Sequence, residues 1–293
     1  MPLDFVTEPL FNLEGTSLDF GVRYEPTRME GKKYVIRETD DNVLGIVGSK
    51  FKAATHIDFF NGVKEVIQEN RLPHHLDGAK VKLVDAKIKI STARNSAFAL
   101  IDITLPNVKH TIITKDDRHR TVINERIIAL HGIDGSCSNQ VYTGGIDTFC
   151  TNGQITGSYS SIMRKNTLGF NLSRYADEVS HARLTFDENC AKLQKWADTP
   201  INVNGKILLD SIIKSERLSK KMYELARREI RRRGKNVFAL YSAFTNYASY
   251  ADDRNGFNIR NTGNDTRAET MWKREQEVAK WISSKPFQDL LVA

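Results

Sequence analysis

The spacing of apolar residues changes partway along the chain from the period of a β-strand to that of an α-helix. In Val81–Ile90, apolar residues alternate with lysines, and a change of phase near Asp85 predicts a β-bulge. From Tyr175 onward, apolar residues recur at helical spacing. This order predicts an α+β protein with a strand-rich N-terminal half that contains one helix, and a helical C-terminal half. We place the strand-rich part at residues 1–160 and the helical part at residues 161–293, with one continuous domain as the alternative.

Turn and cap residues locate the elements of the first half. Asp40-Asp41-Asn42 separates the apolar runs Lys33–Glu38 and Val43–Val47, which predicts a β-hairpin. Thr55 and Asp58 resemble a capping box and predict a helix that ends near Asn70. Asn95-Ser96 predicts the turn of a second hairpin, and further strands are expected at Phe98–Leu105, Thr121–Leu130 and Gln140–Phe149.

Four helices are predicted in the second half. The longest covers Ile207 to about Arg233, where Gly234 can end it. A polar segment with two glycines and four asparagines, Asp252–Asp265, predicts an exposed loop. The other helices are expected at Tyr175–Ala197, at Val237–Tyr250, and after the capping-box pair Thr266 and Glu269.

The charge of the chain is concentrated in one segment. Lys214–Lys235 has a net charge of +7, which equals that of the whole 293-residue chain. Leu218, Met222 and Leu225 lie on one side of the predicted helix, and the basic residues lie on the other. Such a stripe is typical of a surface that binds a phosphate backbone without reading base sequence. The alternative is an ordinary solvated face.

The predicted DNA-binding residues are those of the basic helix, with two more after the central part of the chain. A membrane-surface role is disfavoured because the apolar stripe lacks the large aromatic residues expected at an interface. The predicted set is Arg217, Lys220, Lys221, Arg227, Arg228, Arg231, Arg232, Arg233 and Lys235, with Arg164 and Lys165 as secondary candidates.

Aromatic residues recur at every third position directly after the basic segment. Tyr241, Tyr247 and Tyr250 are candidates for stacking on unpaired bases, as in proteins that bind single strands. The same spacing is expected of a buried helix edge, and core packing is the favoured interpretation.

The sequence contains no motif for catalysis, a metal or a cofactor. It has neither a GxxxxGK[ST] loop nor a GxSxG elbow, and no histidine pair has metal-ligand spacing. The three cysteines are odd in number and widely spaced, which favours reduced thiols. The N-terminus carries Asp4 and Glu8 and lacks the basic and apolar regions of a signal peptide, so we expect the protein in the cytoplasm.

Three segments resemble one known family. They are Lys33–Phe60, Ile146–Gly157 with its Cys-x-Asn pair, and Asn236–Asp253. The family is the phage/plasmid-like domain of unknown function 932, and the resemblance covers nearly the whole chain. It implies a phage, prophage or plasmid origin and a role in the DNA metabolism of mobile elements.

The order of predicted elements is also similar to that of phage single-strand annealing proteins of the Erf and RecT groups. In those proteins a curved sheet and helices line a basic groove in an oligomeric ring. The resemblance implies binding of single-stranded DNA without sequence preference, annealing or recombination, and a homo-oligomer to which Trp272, Trp281 and Phe287 could contribute. The alternatives are a non-enzymatic host- or virion-interaction protein and a metal-dependent DNA-processing enzyme.

Overall fold

The computed structural model describes residues 5–6, 13–69, 86–114, 118–147, 153–154, 162–164, 186–201, 221–250 and 267–289. Within these ranges the strands fill the first half and the helices lie mostly in the second, so the predicted α+β class is confirmed. The strands are β1 Phe5–Val6, β2 Val22–Pro26, β3 Lys32–Arg37, β4 Val43–Gly48, β5 Lys87–Ala93, β6 Phe98–Ile113, β7 Arg120–Gly132, β8 Asn139–Asp147, β9 Gly153–Gln154 and β10 Ile162–Arg164. The helices are α1 His56–Glu69, α2 at residues 186–198, α3 Lys221–Arg233, α4 Val237–Tyr250, α5 Arg267–Ile282 and α6 Lys285–Asp289.

The strands form two antiparallel sheets. The large sheet has the order β1-β5-β6-β7-β8-β10, and β9 also pairs with β8. The small sheet has the order β2-β3-β4. Strand β10 begins two residues beyond the boundary expected at residue 160, and it pairs with the start of β8.

The predicted hairpins are confirmed, with turn residues that tolerate the left-handed conformation. Asp41 has a φ of 57° between β3 and β4, and Asn95 has a φ of 53° between β5 and β6. The predicted cap of α1 is also present, because the amide of Asp58 donates to Oγ1 of Thr55 over 3.0 Å. Ladder irregularities within the described residues lie between Val35 and Ile36 of β3 and between Leu105 and Lys109 of β6. The bulge expected near Asp85 lies outside the described residues.

The β6–β7 ladder is buried on both faces along residues 98–105 of β6 and residues 125–132 of β7. On one face, Phe59, Phe60 and Val63 of α1 pack against side chains from β6, β7 and β8. Toward the β6–β7 turn, Ile112 and Ile123 belong to a second core made mainly by helices α2 to α6. Two-sided burial explains why these strands read as nearly continuous apolar runs rather than as an alternating pattern.

Trp281 and Phe287 belong to this second core. Their exposed fractions are 7% and 0%, and each ring lies against Phe244. They pack on their own chain, so neither ring supplies the subunit contact considered from the sequence. The side chain of Trp272 lies outside the described residues.

A buried ion network joins α5 to the other face of the sheet. Arg126 of β7 makes two hydrogen bonds to Asp102 of β6, at 2.6 and 2.9 Å, and two to Glu275 of α5, at 2.9 and 3.0 Å. Burial alone would lower the pKa of the Arg126 guanidinium, but the charges of Asp102 and Glu275 outweigh it, so the pKa is raised and the group stays charged. The network therefore fixes α5 on the sheet through charged hydrogen bonds.

A buried histidine pair joins α1 to the same sheet. His56 Nε2 lies 2.8 Å from the carbonyl oxygen of Ser96, which can only accept, so this nitrogen carries the hydrogen. His56 Nδ1 then accepts from Nδ1 of His131 over 2.8 Å, and both rings are neutral. Burial lowers the pKa of His56 to about 4 and that of His131 well below its ordinary value.

The histidine pair predicts that stability falls as the solution becomes mildly acidic. In the unfolded chain each histidine takes up a proton near pH 6.5, whereas the folded protein resists protonation of His56 until about pH 4. The stabilisation is therefore complete above pH 6.5 and declines below it, by about 1.4 kcal/mol per pH unit for each histidine. Urea unfolding between pH 7.5 and pH 5 measures this slope, and His56→Asn should reduce it. A free energy of unfolding that stays constant over this range would contradict the prediction.

The ion network predicts a strong dependence on charge balance. Arg126→Met leaves two buried carboxylates without their cation, and we expect a loss of about 3–5 kcal/mol in the free energy of unfolding. A triple variant that also carries Asp102→Leu and Glu275→Leu removes all three charges and should recover most of that loss. Urea denaturation of both variants tests this, and equal stability of the single and triple variants would show that the network contributes only by packing.

Candidate nucleic-acid interface

Helix α3 forms with one apolar stripe toward the second core. Met222, Leu225 and Ala226 are buried there, at spacings that place them on one side of the helix. The helix ends at Arg233, and Gly234 follows with a φ of 82°, which favours glycine. The predicted C-terminal end of the basic helix is therefore confirmed, whereas residues 207–220 of the predicted helix lie outside the described residues.

Asn236 fixes the junction between α3 and α4. Its Nδ2 donates to the carbonyl oxygen of Arg233 over 2.6 Å, and its Oδ1 accepts from the amide of Ala239 over 2.8 Å. One side chain therefore caps the end of α3 and the start of α4. The angle between the two helices is held by this residue and by the backbone pairing of Asn236 with Pro200.

The outer side of α3 is basic and solvent-exposed. Arg227, Arg231 and Arg232 are exposed, Lys235 is exposed just beyond the helix, and Arg228 is half-buried. Within the described ranges, no ion pair engages Arg227, Arg228 or Arg231. Cations in the last turn of a helix also interact favourably with its dipole, so the stripe stabilises the helix that presents it.

Arg233 departs from the predicted set. Its guanidinium is buried, where Nε donates to Glu229 Oε2 over 2.9 Å and Nη1 donates to Thr121 Oγ1 over 2.6 Å. It also lies 5.5 Å from the ring centre of Phe238. Arg233 is therefore a structural residue that ties α3 to β7, and its assignment to the DNA-binding surface is wrong.

The partner of Arg233 also matters for the exposed stripe. Glu229 is fully buried, and its other oxygen accepts from Asn246 Nδ2 over 3.4 Å. Its negative charge therefore forms an ion pair with Arg233 inside the protein. The acidic residue left on the outside of the described helix is Glu224, one turn before Arg227.

The β6–β7 turn places His119 beside the end of α3, and an exposed arginine lies on each side of His119 in the chain. His119 packs against Gly234, since a Cβ built on that glycine would lie 3.3 Å from the imidazole ring. Arg118 and Arg120 flank His119 and are exposed. Sequence reasoning missed both arginines, because they lie more than 100 residues from the basic helix. A sequence signal was present in the alternation of Arg118 and Arg120 around His119.

Several predicted binding residues cannot be placed. Arg217, Lys220 and Lys165 lie outside the described residues, and so do the side chains of Lys221 and Arg164. The backbone of Arg164 lies in β10, opposite Asn139 of β8.

The base-stacking candidates on α4 differ in how far they are buried. Tyr241 is fully buried and lies against Trp196, with ring centres 5.1 Å apart, so its assignment as a base-stacking residue is wrong. Tyr247 is half-buried and lies 5.8 Å from the ring centre of Trp281. The side chain of Tyr250 lies outside the described residues. The favoured interpretation of this helix as a core element is confirmed for Phe238, Tyr241 and Phe244.

Among the residues that the structure describes, other groups with potential chemistry do not assemble into a site. Burial raises the pKa of the Cys190 thiol to about 12, so it is not a reactive thiolate. In the part of the chain that the structure describes, no three histidine, cysteine, aspartate or glutamate side chains are placed to hold a metal ion. The helices described are all too short or too polar to cross a lipid bilayer.

No family model, no curated protein and no solved structure matches this chain. The resemblance to the phage/plasmid-like family and to single-strand annealing proteins therefore stays a prediction.

The different positions of two neighbouring arginines predict opposite results on substitution. Arg233→Gln removes a buried cation from Glu229, so we expect a loss of about 3 kcal/mol or more in the free energy of unfolding. Arg231→Gln changes an exposed side chain and should alter it by less than about 0.5 kcal/mol. Chemical denaturation of the two variants measures the difference. Equal effects would mean that Arg233 is not the anchor of α3.

Proposed function

We propose that this protein binds single-stranded DNA, without reading its sequence, through the exposed basic side of α3. The observation that carries the proposal is that some arginines of α3 are exposed and one is buried. Arg227 and Arg231 are exposed without an acidic partner in the described residues, whereas the nearby carboxylate of Glu229 is occupied by buried Arg233. The outer side of the helix therefore keeps a net positive charge, although Glu224 is also exposed there.

The spacing of these cations suits a phosphate backbone. Arg227 and Arg231 are four residues apart, so they lie on the same side of the helix about 6 Å apart along its axis. Arginine binds phosphate oxygens through two parallel hydrogen bonds and keeps its charge at every physiological pH. Contacts of this kind release counterions from the backbone and depend weakly on the bases.

The β6–β7 turn extends the proposed surface. Arg118 and Arg120 lie next to His119, which contacts the end of α3, and Lys235 is exposed at the same end. A strand that follows the helix would therefore meet further cations beyond its last turn. Cations from two distant segments of the chain would contact one ligand.

The preference for single strands and the biological role rest on the resemblance. The resemblance to single-strand annealing proteins implies that this protein acts in annealing or recombination for a phage or plasmid. It also implies that the protein is a homo-oligomer. A surface that contacts phosphates alone would bind DNA strands of any sequence, as this role requires. Because Tyr241 lies in the core, any stacking on bases would involve other residues.

Removal of the exposed cations tests the proposal. A triple variant with Arg227→Gln, Arg231→Gln and Lys235→Gln should bind a single-stranded oligonucleotide on the order of tenfold more weakly. The slope of log K against log salt should fall by roughly 0.7 for each lost contact. Fluorescence anisotropy over a salt series, with oligonucleotides of several base compositions, measures both quantities.

The matched control removes the same charge elsewhere. Lys109, Lys280 and Lys285 are exposed on other elements, and the corresponding triple glutamine variant has the same net charge. If both triple variants lose affinity equally, net charge alone drives binding and α3 is not the site. If neither variant changes the salt slope, the basic helix is a solvated face or binds an acidic protein.

A further inference from the structure

A second basic surface lies at one end of the small sheet, where the β2–β3 turn meets the end of β4. We call it the hairpin end and define it by Arg28, Met29, Lys32, Lys50 and Lys52, which are all exposed. None of these residues belongs to α3 or to the β6–β7 turn. The surface is therefore independent of the one already described.

The turn of the hairpin end has a fixed conformation. Oγ1 of Thr27 donates to the carbonyl oxygen of Met29 and accepts from the amide of Met29, both over 3.0 Å. The amide of Lys32 also donates to the carbonyl of Met29 over 3.2 Å. Gly31, with a φ of 70°, supplies the left-handed residue that closes the turn. The side chain of Met29 is consequently presented from an ordered tip.

Met29 is unusually exposed for a large apolar residue. Its exposed fraction is 53%, and it is one of three large hydrophobic side chains, with Val43 and Ile46, that are exposed among the described residues. Its neighbours in the chain, Arg28 and Glu30, are both charged. An exposed, flexible apolar side chain on a basic surface is suited to insertion between stacked bases.

Two lysines from another segment join the turn. The amide of Ser49 donates to the carbonyl of Gly31 over 2.9 Å, and this bond places Lys50 beside the turn. The amide of Ala53 donates to the hydroxyl of Tyr24 over 2.9 Å, which holds Lys52 near β2. Residues 27–33 and 49–52 together contain five cations and one acidic residue, Glu30. In the described ranges none of the five forms an ion pair.

The aromatic residues near the hairpin end pack against other residues of the protein. Tyr24 packs against Phe51, with ring centres 6.5 Å apart, and Lys33 Nζ lies 4.2 Å from the centre of the Tyr24 ring. These contacts stiffen the base of the hairpin. Because the defined surface itself has no aromatic side chain, stacking on unpaired bases does not fit it, and a phosphate-lined duplex fits better.

We propose that the hairpin end binds double-stranded nucleic acid, with its cations on the phosphates beside a groove and Met29 inserted at a base step. Two-stranded ribbons fit the grooves of duplexes, and apolar wedges such as methionine kink duplexes from the minor groove. A protein with this surface and a separate single-strand surface on α3 can hold both the substrate and the product of annealing. The proposed duplex contact does not depend on the proposed function of α3.

The test compares the hairpin end with the control variant on duplex DNA. A triple variant with Arg28→Gln, Lys32→Gln and Lys50→Gln should bind a duplex oligonucleotide on the order of tenfold more weakly, with the salt slope lowered by roughly 0.9 for each lost contact. The variant with glutamine at Lys109, Lys280 and Lys285 should keep most of its affinity. Met29→Ala should weaken duplex binding at an unchanged salt slope and reduce duplex bending, measured by energy transfer between dyes at the two ends.

The outcomes separate the proposals. If the hairpin variant binds duplex as well as the control variant does, the inference is wrong, whatever the α3 variant does on single strands. Loss of bending in Met29→Ala supports insertion, and unchanged affinity and bending contradict it. If Met29→Ala and the hairpin variant lose binding to vesicles of equal parts phosphatidylserine and phosphatidylcholine but not to duplex DNA, the partner is a lipid surface and the inference fails.

Discussion

Where both faces of the β6–β7 ladder are buried, a charged or polar side chain gains stability from a partner inside the protein. On one face Nδ1 of His131 finds this partner in His56, which holds α1 against the sheet. On the other face Arg126 finds partners in Asp102 and Glu275, which hold α5. Near the turn, Thr121 accepts from Arg233 and fixes α3. Three helices are therefore positioned by polar contacts to one strand, because a buried donor or charge without a partner would cost several kcal/mol.

This arrangement also explains how one arginine-rich helix serves two purposes. Arg233 and Glu229 lie four residues apart and face the sheet, where they neutralise each other in a buried site. Arg227 and Arg231 are also four residues apart but face solvent. The buried pair anchors the helix and at the same time withdraws a carboxylate from the outer surface. Because the buried pair is neutral, the residues outside it keep the whole net positive charge of the helix.

The two basic surfaces differ in construction, and the difference bears on what each can bind. Helix α3 presents cations in a line, one turn apart, beside two arginines of the β6–β7 turn. The hairpin end presents cations around an exposed methionine on an ordered turn. A line of cations suits an extended phosphate backbone, whereas a protruding tip suits a groove. If both proposals hold, the protein contacts single-stranded and double-stranded DNA through separate elements.

The sequence by itself determined the α+β class, the two hairpins, the cap of α1 and the end of the basic helix at Gly234, because these depend on local periodicity, turn residues and capping. It also located the basic segment, since net charge is a property of composition. Only the tertiary structure decided which arginines are exposed. Helical periodicity gives the side of the helix on which a residue lies, but the burial of Arg233 depends on Thr121 in a strand 112 residues away. Likewise, packing between segments that are distant in the chain places His119 beside the end of α3 and buries Tyr241.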